Sequence, residues 1–196
     1  ASRYYKTLVT TTGPPDLLTW CEARRGWLRE AIGALVQLES PSTDKTAVDR
    51  CGQELRSRLK ALGGKVKRID GGQRGDHIRA DFAGSAAPVL LLGHFDTVWP
   101  VGQLERMPLR EEGGRLYGPG VFDMKAGIAV SMLAVWALRE LQLPDAPRVT
   151  MLWTTDEEIG SETSRAAIET FARESRAVLV LEPSLPGGAA KTSRKG

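Results

Sequence analysis

The sequence predicts an α/β domain with a mixed, mainly parallel central sheet and helices on both faces. Three observations carry this. From Pro88 onward, strand-like apolar runs alternate with helix-like segments, the chain order that winds a parallel sheet. The run 88–93 (PVLLLG) is apolar without alternation, as a strand covered on both faces is, and 177–181 (AVLVL) reads as another central strand. Two helical patterns and a period-two pair of segments precede them, enough to cover one face and extend one edge.

Pro14-Pro15-Asp16 opens the first helical pattern, in which Leu17, Trp20, Trp27, Leu28, Ile32, Leu35 and Leu38 recur at helix spacing until ESPSTD stops it. A second helix follows Ser42 or Thr43, carries Val48, Leu55, Leu59 and Leu62 on its apolar side, and is closed by Gly63-Gly64. KVKRI (65–69) and HIRADF (77–82) alternate around DGGQRGD and read as a hairpin-like pair on one edge of the sheet. PVLLLG belongs in the middle. After the Gly- and Pro-rich EEGGRLYGPG, residues 124–141 form a helix that is apolar almost all round between Lys125 and Arg139, hence largely buried. RVTMLWTT (148–155) and AVLVLE (177–182) are the last two strands, with a helix in SETSRAAIETFARES between them.

At 196 residues, 41% hydrophobic and 26% charged, the chain has the material for one core, and one domain is the expectation. The net charge of +3 is spread among nearly as many acids as bases, without an aromatic-interleaved basic stripe, which argues against a nucleic-acid partner. The apolar stretch 126–138 is too short to span a bilayer, so no membrane segment is expected. Cys21 and Cys51 lie outside any Cys-x-x-Cys pair and read as free thiols on helices. With no signal-peptide core in the opening residues, they point to the cytoplasm.

Chemistry in such a sheet collects at the carboxyl ends of the strands. Here those ends read His94-Phe95-Asp96, Asp156-Glu157-Glu158 and Glu182-Pro183, while the Gly-rich loop before the buried helix carries Asp123. Each alone has an ordinary explanation: a hydrogen-bonded histidine, a helix cap, a solvated turn. Together, six acids and one histidine at one sheet edge repel unless a cation sits among them, and a divalent metal neutralises such a cluster best. Residues i and i+2 of an extended segment share a side, so Asp96 can orient one ring nitrogen of His94 while the other binds metal. Adjacent Glu157 and Glu158 cannot point the same way, which suits one carboxylate on the metal and the other free as a base; Asp123 is placed to bridge two ions. Imidazole and carboxylate donors without thiolate favour zinc, and manganese and cobalt also fit.

GHFDTVWP, LYGPGVFDMKAG, WTTDEEIGSETSR and LVLEPS, in this order and spacing, resemble the signatures of the di-zinc peptidases and deacylases: glutamate carboxypeptidase, acetylornithine deacetylase, succinyl-diaminopimelate desuccinylase and aminoacylase. GPGVFDMKAG and TTDEEIGS are most similar to the glutamate carboxypeptidase branch. The resemblance implies a three-layer zinc-peptidase sandwich, incomplete here. It implies His94 and Glu182 on one zinc, Asp123 bridging both, Glu158 on the other, Glu157 as general base and Asp96 orienting His94. It also implies a cis peptide between Asp123 and Met124. The reaction implied is hydrolysis of an amide in N-acyl amino acids or peptides with a free C-terminal carboxylate; amino-acid deacetylation or desuccinylation is the near alternative, and a non-catalytic metal-binding or interaction module the distant one.

The family's second zinc takes a histidine from late in a longer chain. The other histidine here, His77, lies on a strand and reads as structural. Residues 1–185 therefore read as the amino-terminal part of the catalytic domain, and 186–196 as the start of the connection to a lid and dimerisation domain. That implies a homodimer for the full-length protein and an inactive piece on its own.

Overall fold

The computed structural model describes residues 17–189 and 191. The Pro14-Pro15-Asp16 helix opening lies outside them, as does most of 190–196. The first helical pattern forms two helices, α1 (Leu17–Glu22) and α2 (Arg25–Gln37), where the sequence suggests one. Arg24 makes the break. Its backbone leaves helical geometry, and its guanidinium folds back over the Trp20 ring at 3.6 Å while donating to the Trp20 carbonyl at 3.2 Å. A cation stacked on two indoles, Trp20 and Trp136, outweighs one more turn of continuous helix.

Helix α3 (Lys45–Ala61) is capped by Asp44, whose carboxylate accepts from Ala47 N at 3.0 Å, rather than by Ser42 or Thr43. Gly63, in the left-handed region at φ 82°, ends it, with Gly63 N donating to Lys60 O and Gly64 N to Leu59 O. The strands are β1 (Lys65–Ile69), β2 (His77–Phe82), β3 (Ala86–His94), β4 (Arg110–Glu112), β5 (Arg115–Tyr117), β6 (Pro147–Thr154) and β7 (Ala177–Val180). Among them run α4 (Gln103–Arg106), α5 (Ala126–Glu140) and α6 (Arg165–Arg173). The short β4–β5 hairpin and α4 occupy stretches that sequence periodicity leaves blank, because elements of three or four residues are too brief to show a period.

The main sheet has the order β1-β2-β6-β3-β7. β2 runs antiparallel to β1 and β6, while β3 is parallel to both β6 and β7. From β3 the chain passes through α5 to β6 on one side, then through α6 to β7 on the other. Because such crossovers are right-handed, the opposite directions set α5 and α6 on opposite faces, and the winding reverses at β6, the neighbour of β3. That reversal opens a crevice between the carboxyl ends of β3 and β6, where α/β sheets bind ligands.

The two faces are unequally filled. On one, α2, α3 and α5 pack Leu35, Val48, Leu55, Leu59, Ile128 and Met132 against Ile78, Leu91, Met151 and Trp153. The other carries α6, which buries none of its residues. Strand β7 departs from expectation: it reads as a central strand, yet it forms the sheet edge among the described residues, with Leu179 53% and Val180 56% exposed. Val121–Glu140 reaches 20 residues and would cross a bilayer by length and composition. Its burial against the sheet and α2, through Ile128, Ala129, Met132 and Val135, accounts for that apolarity as a core helix.

One buried charge holds this face together. Lys125, 1% exposed, donates from Nζ to the Leu35 carbonyl at 2.9 Å and the Leu38 carbonyl at 3.0 Å, satisfying the end of α2. Burial pulls its pKa below the usual lysine value. Lys125→Met removes the donor and leaves those carbonyls buried, so unfolding in urea is expected to show a loss of about 1–3 kcal/mol.

Candidate metal centre

Three strand ends and one loop converge on His94, the last residue of β3. His94 is 1% exposed. Its Nδ1 faces inward, 3.0 Å from the Asp96 carbonyl and 3.3 Å from Asp96 Oδ1. Its Nε2 faces the crevice, 3.1 Å from Asp123 Oδ1, 3.3 Å from Glu182 Oε1 and 3.8 Å from Glu157 Oε2. Ligand atoms of His94, Glu157 and Glu182 lie within 4.8 Å of one another, and so do those of His94, Asp123 and Glu158. All five crevice residues singled out in the sequence are thus brought together, with Asp96 behind the histidine.

Local sequence explains the placement. Gly93 has no Cβ, and the sulfur of buried Met124 fills that space and accepts from His94 N at 3.3 Å. Packing Met124 inward leaves Asp123, across a cis peptide bond, at the mouth with its side chain 52% exposed. After β6, Glu157–Ile159 form one tight turn closed by Gly160 N to Glu157 O at 3.0 Å, which splays Glu157 and Glu158 towards different neighbours. Asp123 is no helix cap. Asp156 does act as an acceptor for a helix start, taking Thr163 N at 2.7 Å and Ser164 N at 3.2 Å ahead of α6.

Glu182 is held from below by α5. A Cβ on Gly127 would drive into the Leu181 carbonyl oxygen, so the helix approaches this strand end as only glycine permits. Gly127→Ala is therefore expected to displace Leu181 and Glu182 and to weaken metal binding by about tenfold or more. Calorimetric titration with zinc, beside a melting curve to separate misfolding, checks this.

Asp96 is more than the orienting partner that the spacing suggests. Fully buried, it accepts from Ser42 Oγ at 2.6 Å through Oδ2, and the amides of Glu157 and Glu158 point at its two oxygens at 3.4 and 3.3 Å. One carboxylate thereby ties the β3 end to the acidic turn after β6. The bond from Ser42 to Asp96 escapes sequence reasoning because ESPSTD reads only as the stop of one helix and the start of the next. Ser40 Oγ to Phe95 O at 2.6 Å and Thr97 N to Ser40 O at 2.8 Å dock that segment along HFDT.

Electrostatics follow from burial and crowding. Burial pulls the His94 imidazole down, but hydrogen bonds to Asp96 and Glu182 outweigh it and push the pKa up to about 11. Burial raises Glu157, Glu158 and Asp123 above the usual carboxylate range, with neighbouring acids adding to the effect. Glu182 is lowered by its hydrogen bond to His94. The cluster draws positive charge, which is the condition for a divalent cation to bind. Its donors, one imidazole and four carboxylates, fit zinc, manganese or cobalt.

Residues 90–193, just over half of the chain, match the model of Peptidase family M20/M25/M40. The chain belongs to this family. Carboxypeptidase G2 of Pseudomonas sp. (strain RS-16) is 37% identical over 161 residues, covering 81% of this chain and 39% of that protein. Succinyl-diaminopimelate desuccinylase of Rhodospirillum centenum is 31% identical over 169 residues, covering 78% and 42%. Among solved structures, human carnosine dipeptidase 1 matches with a TM-score of 0.73 at 21% identity, over 85% of this chain and 41% of that one. A metallo-carboxypeptidase of the M20 family from Sulfolobus solfataricus matches with 0.69 at 21% identity, over 84% and 38%. These two share the fold. The chain spans about two fifths of the length of its curated M20/M25/M40 relatives.

Proposed function

We propose that this chain carries most of the metal and base machinery of a two-zinc amide hydrolase acting on N-acyl amino acids or peptides with a free C-terminal carboxylate. The observation that carries the reading is the convergence of three carboxylates on His94 Nε2 while Nδ1 is turned to Asp96. In this reading His94 and Glu182 would hold one zinc and Glu158 the other, with Asp123 shared between them. Bound there, the metal pair would supply a polarised carbonyl and a water with its pKa lowered towards roughly 7. Glu157 Oε is the group that would take a proton from a water in the crevice and return it to a departing amine. Burial raises the Glu157 pKa, the direction in which a base near neutrality improves. Asp96 keeps Nδ1 of His94 protonated, so that Nε2 is the atom offered to metal.

A glutamate-type carboxypeptidase is preferred on the wording of GPGVFDMKAG and TTDEEIGS and on the 37% identity to carboxypeptidase G2; the desuccinylase relative supports deacylation as the second reading. Residues 1–185 are assigned to the catalytic domain and 186–196 to the connection towards a lid through which the full-length protein would pair. The unpaired thiols Cys21 and Cys51 suit a reducing, cytoplasmic compartment.

His77 is engaged elsewhere, so the two metal groups share one histidine. The 196-residue chain is therefore expected to hold one zinc firmly and to hydrolyse a panel of N-acyl glutamates negligibly. Elemental analysis together with amine release from the panel checks this. Two firmly held zincs with turnover would refute the missing-ligand assignment, and no zinc at all would refute the metal centre.

A further inference from the structure

Beneath the acidic turn, one buried cluster contains four hydrogen bonds and therefore needs four protons. His77, the first residue of β2 and fully buried, places Nδ1 3.0 Å from Thr155 Oγ1 and Nε2 3.1 Å from Thr163 Oγ1. Thr155 Oγ1 also lies 2.5 Å from the Gly75 carbonyl, which can only accept, and Thr163 Oγ1 lies 2.7 Å from Asp156 Oδ2, an acceptor when ionised. Each hydroxyl has a single proton. Both are committed, to Gly75 and to Asp156, so both ring nitrogens must donate. Asp156 Oδ2 also takes the Thr163 and Ser164 amides at 2.7 and 3.2 Å, which marks it as an acceptor. With it so, a neutral imidazole brings one ring proton and leaves one of the four contacts without a hydrogen, whereas an imidazolium brings two and fills all four. The other oxygen of Asp156, Oδ1, is buried with no partner among the described residues, a charge that a nearby cation offsets.

We propose that His77 is held as an imidazolium, the buried counter-charge of Asp156 relayed through Thr163, and that the pair positions the turn carrying Glu157 and Glu158. The acids facing the ring are Asp156 after β6, Asp76 before β2, itself paired with Lys45 and Arg68, and Asp96 after β3. Burial is the largest influence and, against these carboxylates, leaves the ring pKa below its usual value. The fourth hydrogen bond exists only for the protonated ring and adds to their side. Thr155 directly precedes Asp156, and Thr163 precedes the last residue before α6, so the ring clamps both ends of the 155–163 segment to β2. The positioning role rests on the metal-centre reading; the charge state does not.

Ring 1H–15N spectra of the histidine-labelled chain test both. The chain has two histidines, and a His77→Asn variant assigns the signals. At pH 7 both nitrogens of His77 should carry protons, and added zinc should strip a proton from one nitrogen of His94 while leaving His77 unchanged. One bare nitrogen on His77 overturns the proposal. A His94 ring indifferent to zinc counts instead against the metal centre. Thr163→Val removes the acceptor of Nε2 and should leave His77 singly protonated, with zinc binding weakened about tenfold; Thr163→Ser should restore both. An unchanged ring in Thr163→Val overturns the relay, and unchanged zinc affinity overturns the positioning role.

Discussion

Glu157→Ala, made in a chain extended to the length of its relatives, is expected to lower kcat by about 10²–10⁴-fold with zinc content unchanged. Glu157 faces the crevice with its side chain 39% exposed, and its Oε2 is, at 3.8 Å, the most distant from His94 Nε2 of the three carboxylates that approach it. In the proposed division of labour this carboxylate stays free to reach a water beside the metal, although its Oε also lies close enough to His94 and Glu182 to bind an ion. Its loss removes proton transfer and leaves His94, Asp123, Glu158 and Glu182 in place. Steady-state kinetics and elemental analysis of the same sample check the two halves. Retained turnover would take Glu157 out of the base role, whereas lost zinc would make it a ligand.

His94→Ala should be the most damaging change to metal binding, weakening zinc by more than about a hundredfold in calorimetric titration. His94 is the one donor common to both metal groups, and it alone brings an imidazole nitrogen to a set of carboxylates. Asp96→Asn should cost less, about 10–100-fold, because the ligand remains and only its orientation and basicity suffer. The order of the two variants is the test: equal losses would mean that Asp96 acts on the whole acidic turn through the Glu157 and Glu158 amides, not mainly on the histidine.

Several parts of the centre are legible in the sequence. His-x-Asp after an apolar run, a free acid in a Gly-rich loop, and paired glutamates after a second apolar run are local patterns, and the fold brings all of them to one crevice. Ser42 and the contacts of His77 are not legible. Ser42 reaches Asp96 across 54 positions and His77 reaches Thr163 across 86, and no local pattern records a partner so far along the chain. The break at Arg24 is hidden for a related reason, since its cause is a stack on Trp136 from another helix. Strand β7 misleads because apolarity reports that a strand is suited to burial, not which neighbours cover it.

The sequence by itself determined the alternation of elements, the donor types at the strand ends and hence the kind of ion they suit, because these depend on periodicity and residue chemistry within a few positions. Only the tertiary structure decided that β3 lies between β6 and β7, so that three separate strand ends close on one imidazole. Strand order is set by which crossovers pack and in which direction, a property of long-range contacts. The same contacts make Asp96 a shared anchor and turn a lone histidine on β2 into the floor of the acidic turn.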